Sequence, residues 1–95
     1  MKMTDTRIAM IADHYGFDHQ CTKLTEEMAE LTVAIHHLKN RNTSLDNAEF
    51  CEEFADVEIL MDQIRHLLTP EFKAWVDECR EYKLSRQMVR ISDLR

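Results

Sequence analysis

Two long stretches of this sequence place apolar residues at alternating steps of four and three, and only a helix keeps such residues on one face. Phe17, Cys21, Leu24, Met28, Leu31, Ile35 and Leu38 follow the alternation, and Phe50, Phe54, Val57, Met61, Ile64 and Leu68 repeat it. A strand lines one face with every second residue; a repeat of about 3.5 is the seam of a helix that packs on another helix. Gly and Pro occur once each, which is too little turn chemistry for a sheet and suits long helices with short connections. At 95 residues the chain reads as a single domain, residues 1–95. The expected fold is all-α: a four-helix core with antiparallel central helices. A chain this short buries a limited share of its surface, so oligomerisation is expected to complete that core.

Local signals divide the chain. Thr4 or Asp5 caps a first helix carrying Ile8, Ile11, Ala12 and Tyr15, and Gly16 ends it in a left-handed conformation. Asp18 is placed to cap a second helix over residues 18–39. The polar run Asn40 to Ser44 is a loop, and Asp46 with Glu49 reads as the capping box of a third helix over 46–68. A short loop makes the second and third helices antiparallel neighbours. Thr69-Pro70-Glu71 starts a fourth helix with a capping hydroxyl, Pro at the first helical position and acid in the first turn. That helix carries Phe72, Trp75, Val76 and Cys79 and continues through Tyr82 to Met88.

The net charge of −6 speaks against a partner that is a nucleic acid polymer, which calls for a basic footprint. Half of the 12 Lys and Arg nevertheless lie at the C-terminal end: Lys73, Arg80, Lys83, Arg86, Arg90 and Arg95. Cys21, Cys51 and Cys79 are odd in number, form no C-x-x-C, and sit among apolar helical positions, so they are expected reduced and buried. No signal peptide and no bilayer-length apolar run is present, and the expected location is cytoplasmic, with no membrane partner.

The chemistry concentrates in two acidic segments, Glu26-Glu27-Met28-Ala29-Glu30 and Glu52-Glu53-Phe54-Ala55-Asp56. Residues three apart share a helix face. Glu27 with Glu30, and Glu53 with Asp56, therefore form two pairs, each beside an apolar seam and near the middle of its helix. Brought together, four carboxylates resist ionising in concert. A hard divalent cation with oxygen ligands relieves that repulsion, and Mg²⁺ binds in this way together with substrate phosphates. Lys23, Lys83 and Arg86 are the candidate contacts to such phosphates. For Lys23 a salt bridge to Glu27, four residues on, is the competing role. Trp75, Phe17 and Tyr82 are aromatic candidates for a nucleobase, with core packing favoured for Trp75 and Phe17.

The words around the acids carry a resemblance. Lys23-Leu24 precedes Glu26-Glu27-x-x-Glu30-Leu31, Glu52-Glu53-x-Ala55-Asp56-Val57 follows the loop, and the tail reads Tyr82-Lys83-Leu84-x-Arg86-Gln87. With this order and separation, nearly the whole chain resembles a MazG-like member of the all-α nucleoside triphosphate pyrophosphohydrolases. The resemblance implies assembly into a homo-oligomer, a dimer or a tetramer. It implies Mg²⁺-dependent cleavage of a nucleoside triphosphate between the α- and β-phosphates, to a monophosphate and pyrophosphate, with Mn²⁺ as a possible substitute cation. Carried over by position, Glu27, Glu30, Glu53 and Asp56 are the catalytic metal ligands. The chain departs from better-known members in its shortness and in lacking an appended base-selective segment, which leaves base and sugar open. The rival readings are a non-enzymatic helical interaction module, whose acids are only surface, and an inactive homologue. A di-iron carboxylate bundle calls for E-x-x-H motifs, and no Glu here has His three residues later.

Overall fold

The computed structural model describes residues 5–93 and is helical throughout, with four helices and no strand among the described residues. These are α1 (Thr6–Tyr15), α2 (Phe17–Asn40), α3 (Ser44–Leu67) and α4 (Pro70–Asp93). Thr4 and Arg95 lie outside the described residues.

Each helix begins and ends for a local reason. Asp5 caps α1, its carboxylate accepting from the Arg7 backbone N–H at 3.0 Å. Gly16 closes α1 and opens α2 at once. Its N–H donates to the Ala12 carbonyl at 2.8 Å, and its φ of 86° lies where a Cβ is disfavoured. Its ψ of 170° is extended, so the joint is sharper than the expected left-handed cap. Asp18 is not the cap of α2, because the helix has already begun at Phe17 and leaves Asp18 in its first turn. The capping box of α3 is Thr43 with Asp46, one turn earlier than Asp46 with Glu49. The Thr43 hydroxyl accepts from Asp46 N–H at 3.2 Å, and the Asp46 carboxylate accepts from Thr43 N–H at 3.0 Å. Thr69 caps α4 as expected, accepting from Phe72 N–H at 3.2 Å, and α4 runs past Met88 to Asp93.

Packing departs from the expected four-helix core. Helix α2 lies mainly against α3, α1 lies against α3 and touches α2, and α4 has no more than a marginal contact with the others. No α4 residue is buried. The radius of gyration is 16.6 Å, where a compact chain of this length has about 12–13 Å. The reason is that α4's large apolar residues are left uncovered by the other described residues: Trp75 is 64% exposed and Tyr82 65%. Trp75 and Phe17 are thus not core residues. Cys51 and Cys79 are exposed rather than buried, Cys51 on the outer side of α3 and Cys79 on unpacked α4, and Cys21 is half-buried; all three are free thiols.

The line that α2 buries is Gln20, Glu27 and Ala34. A step of seven is nearly two full turns, so the three stack along one edge. Helix α3 answers with Asp46, Leu60 and Gln63, and α1 adds Ala12. Gln20 Nε2 donates to Gln63 Oε1, and His37 pairs with Glu49. These contacts tie the start of α2 to the end of α3 and the end of α2 to its start. The apolar seams run alongside this line. Leu24, Leu31 and Leu38 are half-buried beside it, while Met28, Ile35, Phe54 and Met61 face outward. The buried apolar side chains among the described residues are only Ala12, Ala34 and Leu60. No helix among them is long and apolar enough to cross a membrane.

Candidate metal and phosphate site

The carboxylates meet where the middle of α2 faces the middle of α3. Glu27 sits on the buried line of α2, Glu30 one turn on is exposed, and Glu53 is half-buried on α3. One oxygen from each of Glu27, Glu30 and Glu53 lies within 4.8 Å of the others. Asp56 stands outside this triad. It is exposed and shares a cavity wall with Glu27. Three of the four expected ligands are therefore together, with the fourth beside them.

The electrostatics of this cluster are unresolved by the protein itself. Glu27 Oε2 and Glu53 Oε2 are buried and have no hydrogen-bond partner among the described residues. Desolvation, foremost, pushes the Glu53 carboxyl up to about 7; a hydrogen bond with Glu30 adds to the shift, as does repulsion from Glu30, Glu27 and Asp56. A buried polar oxygen without a partner is costly, and more so when charged. Crowded carboxylates, with one buried oxygen on Glu27 and one on Glu53 left unpartnered among the described residues, are the oxygen-donor set that a hard divalent cation satisfies.

A second acidic group makes the contrast. His37, Asp46 and Glu49 also bring ligand atoms within 4.8 Å of one another. There every group already has a partner. His37 Nδ1 lies 3.1 Å from Glu49, while Asp46 caps α3 and pairs with Arg41 at 3.0 Å. That cluster is a closed clasp at the α2–α3 turn, whereas the Glu27–Glu53 cluster is left open.

Lys23 takes the role that competed with phosphate binding. Its Nζ lies 3.3 Å from Glu27 and 3.8 Å from Glu26. The hydrogen bond to Glu27 raises its pKa above the ordinary lysine value, so it stays cationic at the mouth of the site. Lys83 and Arg86 are not among the residues that line the carboxylate cavity; α4 has only a marginal contact with the other helices, with Arg65 of α3 paired to Asp77 in the first half of α4. Lys83 and Arg86 are both exposed, and the Arg86 guanidinium rests over the Tyr82 ring at 5.4 Å.

A cavity of about 560 Å³ opens beside the carboxylates. Lys23, Glu26, Glu27 and Asp56 line its charged part; Tyr15, His19, Gln20, Ile59 and Leu60 line the rest. Its volume is that of an ordinary small-molecule site. The aromatic candidates Phe17, Trp75 and Tyr82 are not among its walls. Sequence reasoning treated Tyr15 as an apolar stripe residue and passed over His19 and Gln20. The available signal was the pair of rings at Tyr15 and His19, four residues apart across the only Gly.

No protein-family model, curated protein or solved structure matches the chain.

Proposed function

We propose that this chain is a Mg²⁺-dependent nucleoside triphosphate pyrophosphohydrolase of the MazG-like kind, producing a nucleoside monophosphate and pyrophosphate in the cytoplasm. The observation that carries the reading is the Glu27–Glu30–Glu53 cluster, with two buried carboxylate oxygens that no protein group satisfies. A merely solvated acidic face has no reason to bury them. The word pattern around the acids, and the cavity that adjoins them, support the same reading.

Glu27, Glu30 and Glu53 would hold the cation, with Asp56 on the adjoining cavity wall as the fourth candidate, and Mn²⁺ would be an acceptable substitute. Bound there, Mg²⁺ supplies charge neutralisation at the phosphates and a lowered pKa for the attacking water. The chain's own groups do the rest. The α2–α3 clasp holds the carboxylates in place. Lys23, paired with Glu27 at the mouth of the site, would be a donor for phosphate oxygens. Lys83 and Arg86 are further phosphate donors, Arg86 bidentately.

In this reading α2 and α3 run antiparallel, and a second copy covers the outward seam of Met28, Ile35, Phe54 and Met61. Fully burying such side chains is worth about 1.5–3 kcal/mol each, and a single chain realises little of that with Ala12, Ala34 and Leu60 alone. Assembly as a dimer or tetramer also lets α4 of one copy bring Lys83 and Arg86 to the carboxylates of another. The exposed apolar residues equally suit a non-enzymatic self-assembling module, the second reading. It leaves the orphaned oxygens without a purpose.

Phosphorus NMR on the protein with Mg²⁺ and a panel of ribo- and deoxynucleoside triphosphates tests the proposal. Monophosphate with pyrophosphate is the expected product pair. Diphosphate with phosphate, or no turnover with either Mg²⁺ or Mn²⁺, overturns it.

A further inference from the structure

The non-acidic part of the cavity has a structure of its own. The Tyr15 and His19 rings are stacked, with centroids 4.7 Å apart and planes 17° from parallel. Both are exposed at the cavity wall, so this stack is not core packing. It is also braced. His19 Nδ1 lies 2.7 Å from the Gln20 side-chain amide, and Gln20 Nε2 donates to Gln63 Oε1. Gln20 and Gln63 are 4% and 3% exposed. A buried amide pair between α2 and α3 thus holds a surface imidazole at a fixed angle, and Tyr15 rests on it. Two polar side chains committed to orienting an exposed ring suggest that the ring has a partner to receive.

The distance along α2 identifies that partner. From Gln20 to Glu27 is seven residues, about 10 Å of helix rise. The cavity therefore offers aromatic faces at one end and carboxylates at the other, separated by the reach of a nucleotide from base to phosphate, with Lys23 between them, one turn from His19 and one from Glu27. We infer that the Tyr15–His19 stack is the nucleobase platform of this site. The inference rests on reading the cavity as a nucleotide site, and it adds that the base is held by stacking. Stacking accepts every base face and gives little edge discrimination. The protein would therefore separate nucleotides from base-free phosphates sharply and separate one base from another weakly.

The test uses ligand-observed saturation-transfer NMR on the full chain with Mg²⁺. The probes are the four nucleoside 5′-monophosphates, with ribose 5-phosphate as the base-free control. Base protons should receive more saturation than ribose protons. Tyr15→Ala and His19→Ala should weaken monophosphate binding by about 5- to 150-fold. Tyr15→Phe, which keeps the ring, should retain wild-type affinity, and ribose 5-phosphate binding should not change in any variant. Circular dichroism checks the fold, which exposed positions should tolerate. Unchanged monophosphate affinity in both alanine variants overturns the platform even if triphosphates are turned over. Absence of base saturation with wild-type protein overturns it as well. Base saturation without any triphosphate turnover sustains the platform and removes the hydrolase reading, so the two ideas fail separately.

Discussion

Glu53→Gln should make the metal-free protein more stable at mildly alkaline pH while removing its response to Mg²⁺. In the metal-free protein Glu53 is held at about 7 against an ordinary value of 4.5, first by desolvation and then by Glu30, Glu27 and Asp56. Between those values the native chain keeps a proton that the unfolded chain has released. Stability is therefore fully present below the unfolded value and is lost as pH rises through about 7. Adding Mg²⁺ at high pH works in the opposite direction. A ligand bound only to the native state at a hundredfold excess over its Kd stabilises by about 2.7 kcal/mol. A domain of 60–100 residues shifts its Tm by about 4–8 °C per kcal/mol, so the expected gain is about 10–20 °C. The assay is thermal melting by circular dichroism at fixed protein concentration. It compares metal-free protein across pH with protein at about pH 8 titrated with Mg²⁺ against NaCl of matched ionic strength. Wild-type protein should lose Tm with rising pH and recover it with Mg²⁺. Glu53→Gln cannot ionise, so its melting should be flatter with pH and indifferent to Mg²⁺. A Mg²⁺ shift of wild-type size in Glu53→Gln would refute the assignment of Glu53 as a ligand. Flat behaviour of the wild-type protein in both pH and Mg²⁺ would refute the orphaned-carboxylate argument as a whole.

Leu60→Ala removes the largest of the buried apolar side chains and should cost about 2–5 kcal/mol in denaturant unfolding; a loss under half a kcal/mol would mean that α3 does not pack there. Thr43→Ala deletes one half of the α3 capping box and should cost about 0.5–2 kcal/mol, measured in the same way, with activity retained. Arg86→Ala should raise KM for triphosphate while leaving helicity intact; an unchanged KM would make the basic face of α4 structural. In sedimentation the chain should run as an oligomer, and a monomer at micromolar concentration would contradict the role given to the outward seam.

Helices were legible because their causes are local. The seams, the Thr69-Pro70 start and the lone Gly16 joint each act within a few residues, so all four helices were recoverable to within a few positions. Asp18 is not the cap of α2 because Gly16, which ends α1, also opens α2 without a side-chain cap, and Asp46 is the N3 residue of the capping box that Thr43 opens, not its first. The acidic pairs were legible for the same reason as the seams, since a spacing of three on a helix fixes a common face. Burial was not. Periodicity identifies an apolar face but not the surface that covers it, and here Phe54, Met61 and the large apolar residues of α4 lack a cover among the described residues. The platform residues were missed because Tyr15 and His19 belong to different helices, and only the Gly16 joint brings their rings together.

The choice of what α2 and α3 bury against one another bears on function. A helix pair selected for stability alone would turn its Leu, Phe and Met residues inward. This pair instead places Gln20, Glu27, Asp46 and Gln63 among its most buried positions, with Ala34 and Leu60 as the apolar remainder. Buried polar groups stabilise little even when satisfied, and they cost stability when not. Gln20, Gln63 and Asp46 are satisfied: the amides by each other, the carboxylate by a cap and Arg41. Their bonds fix α2 against α3 at both ends. Between those fixed ends lie Glu27 and Glu53 with their unsatisfied oxygens. Departures from local consistency gather where a protein functions, and here a satisfied polar frame surrounds an unsatisfied acidic centre. The frame sets the spacing of the carboxylates, and that arrangement displaces the apolar seams to the outside.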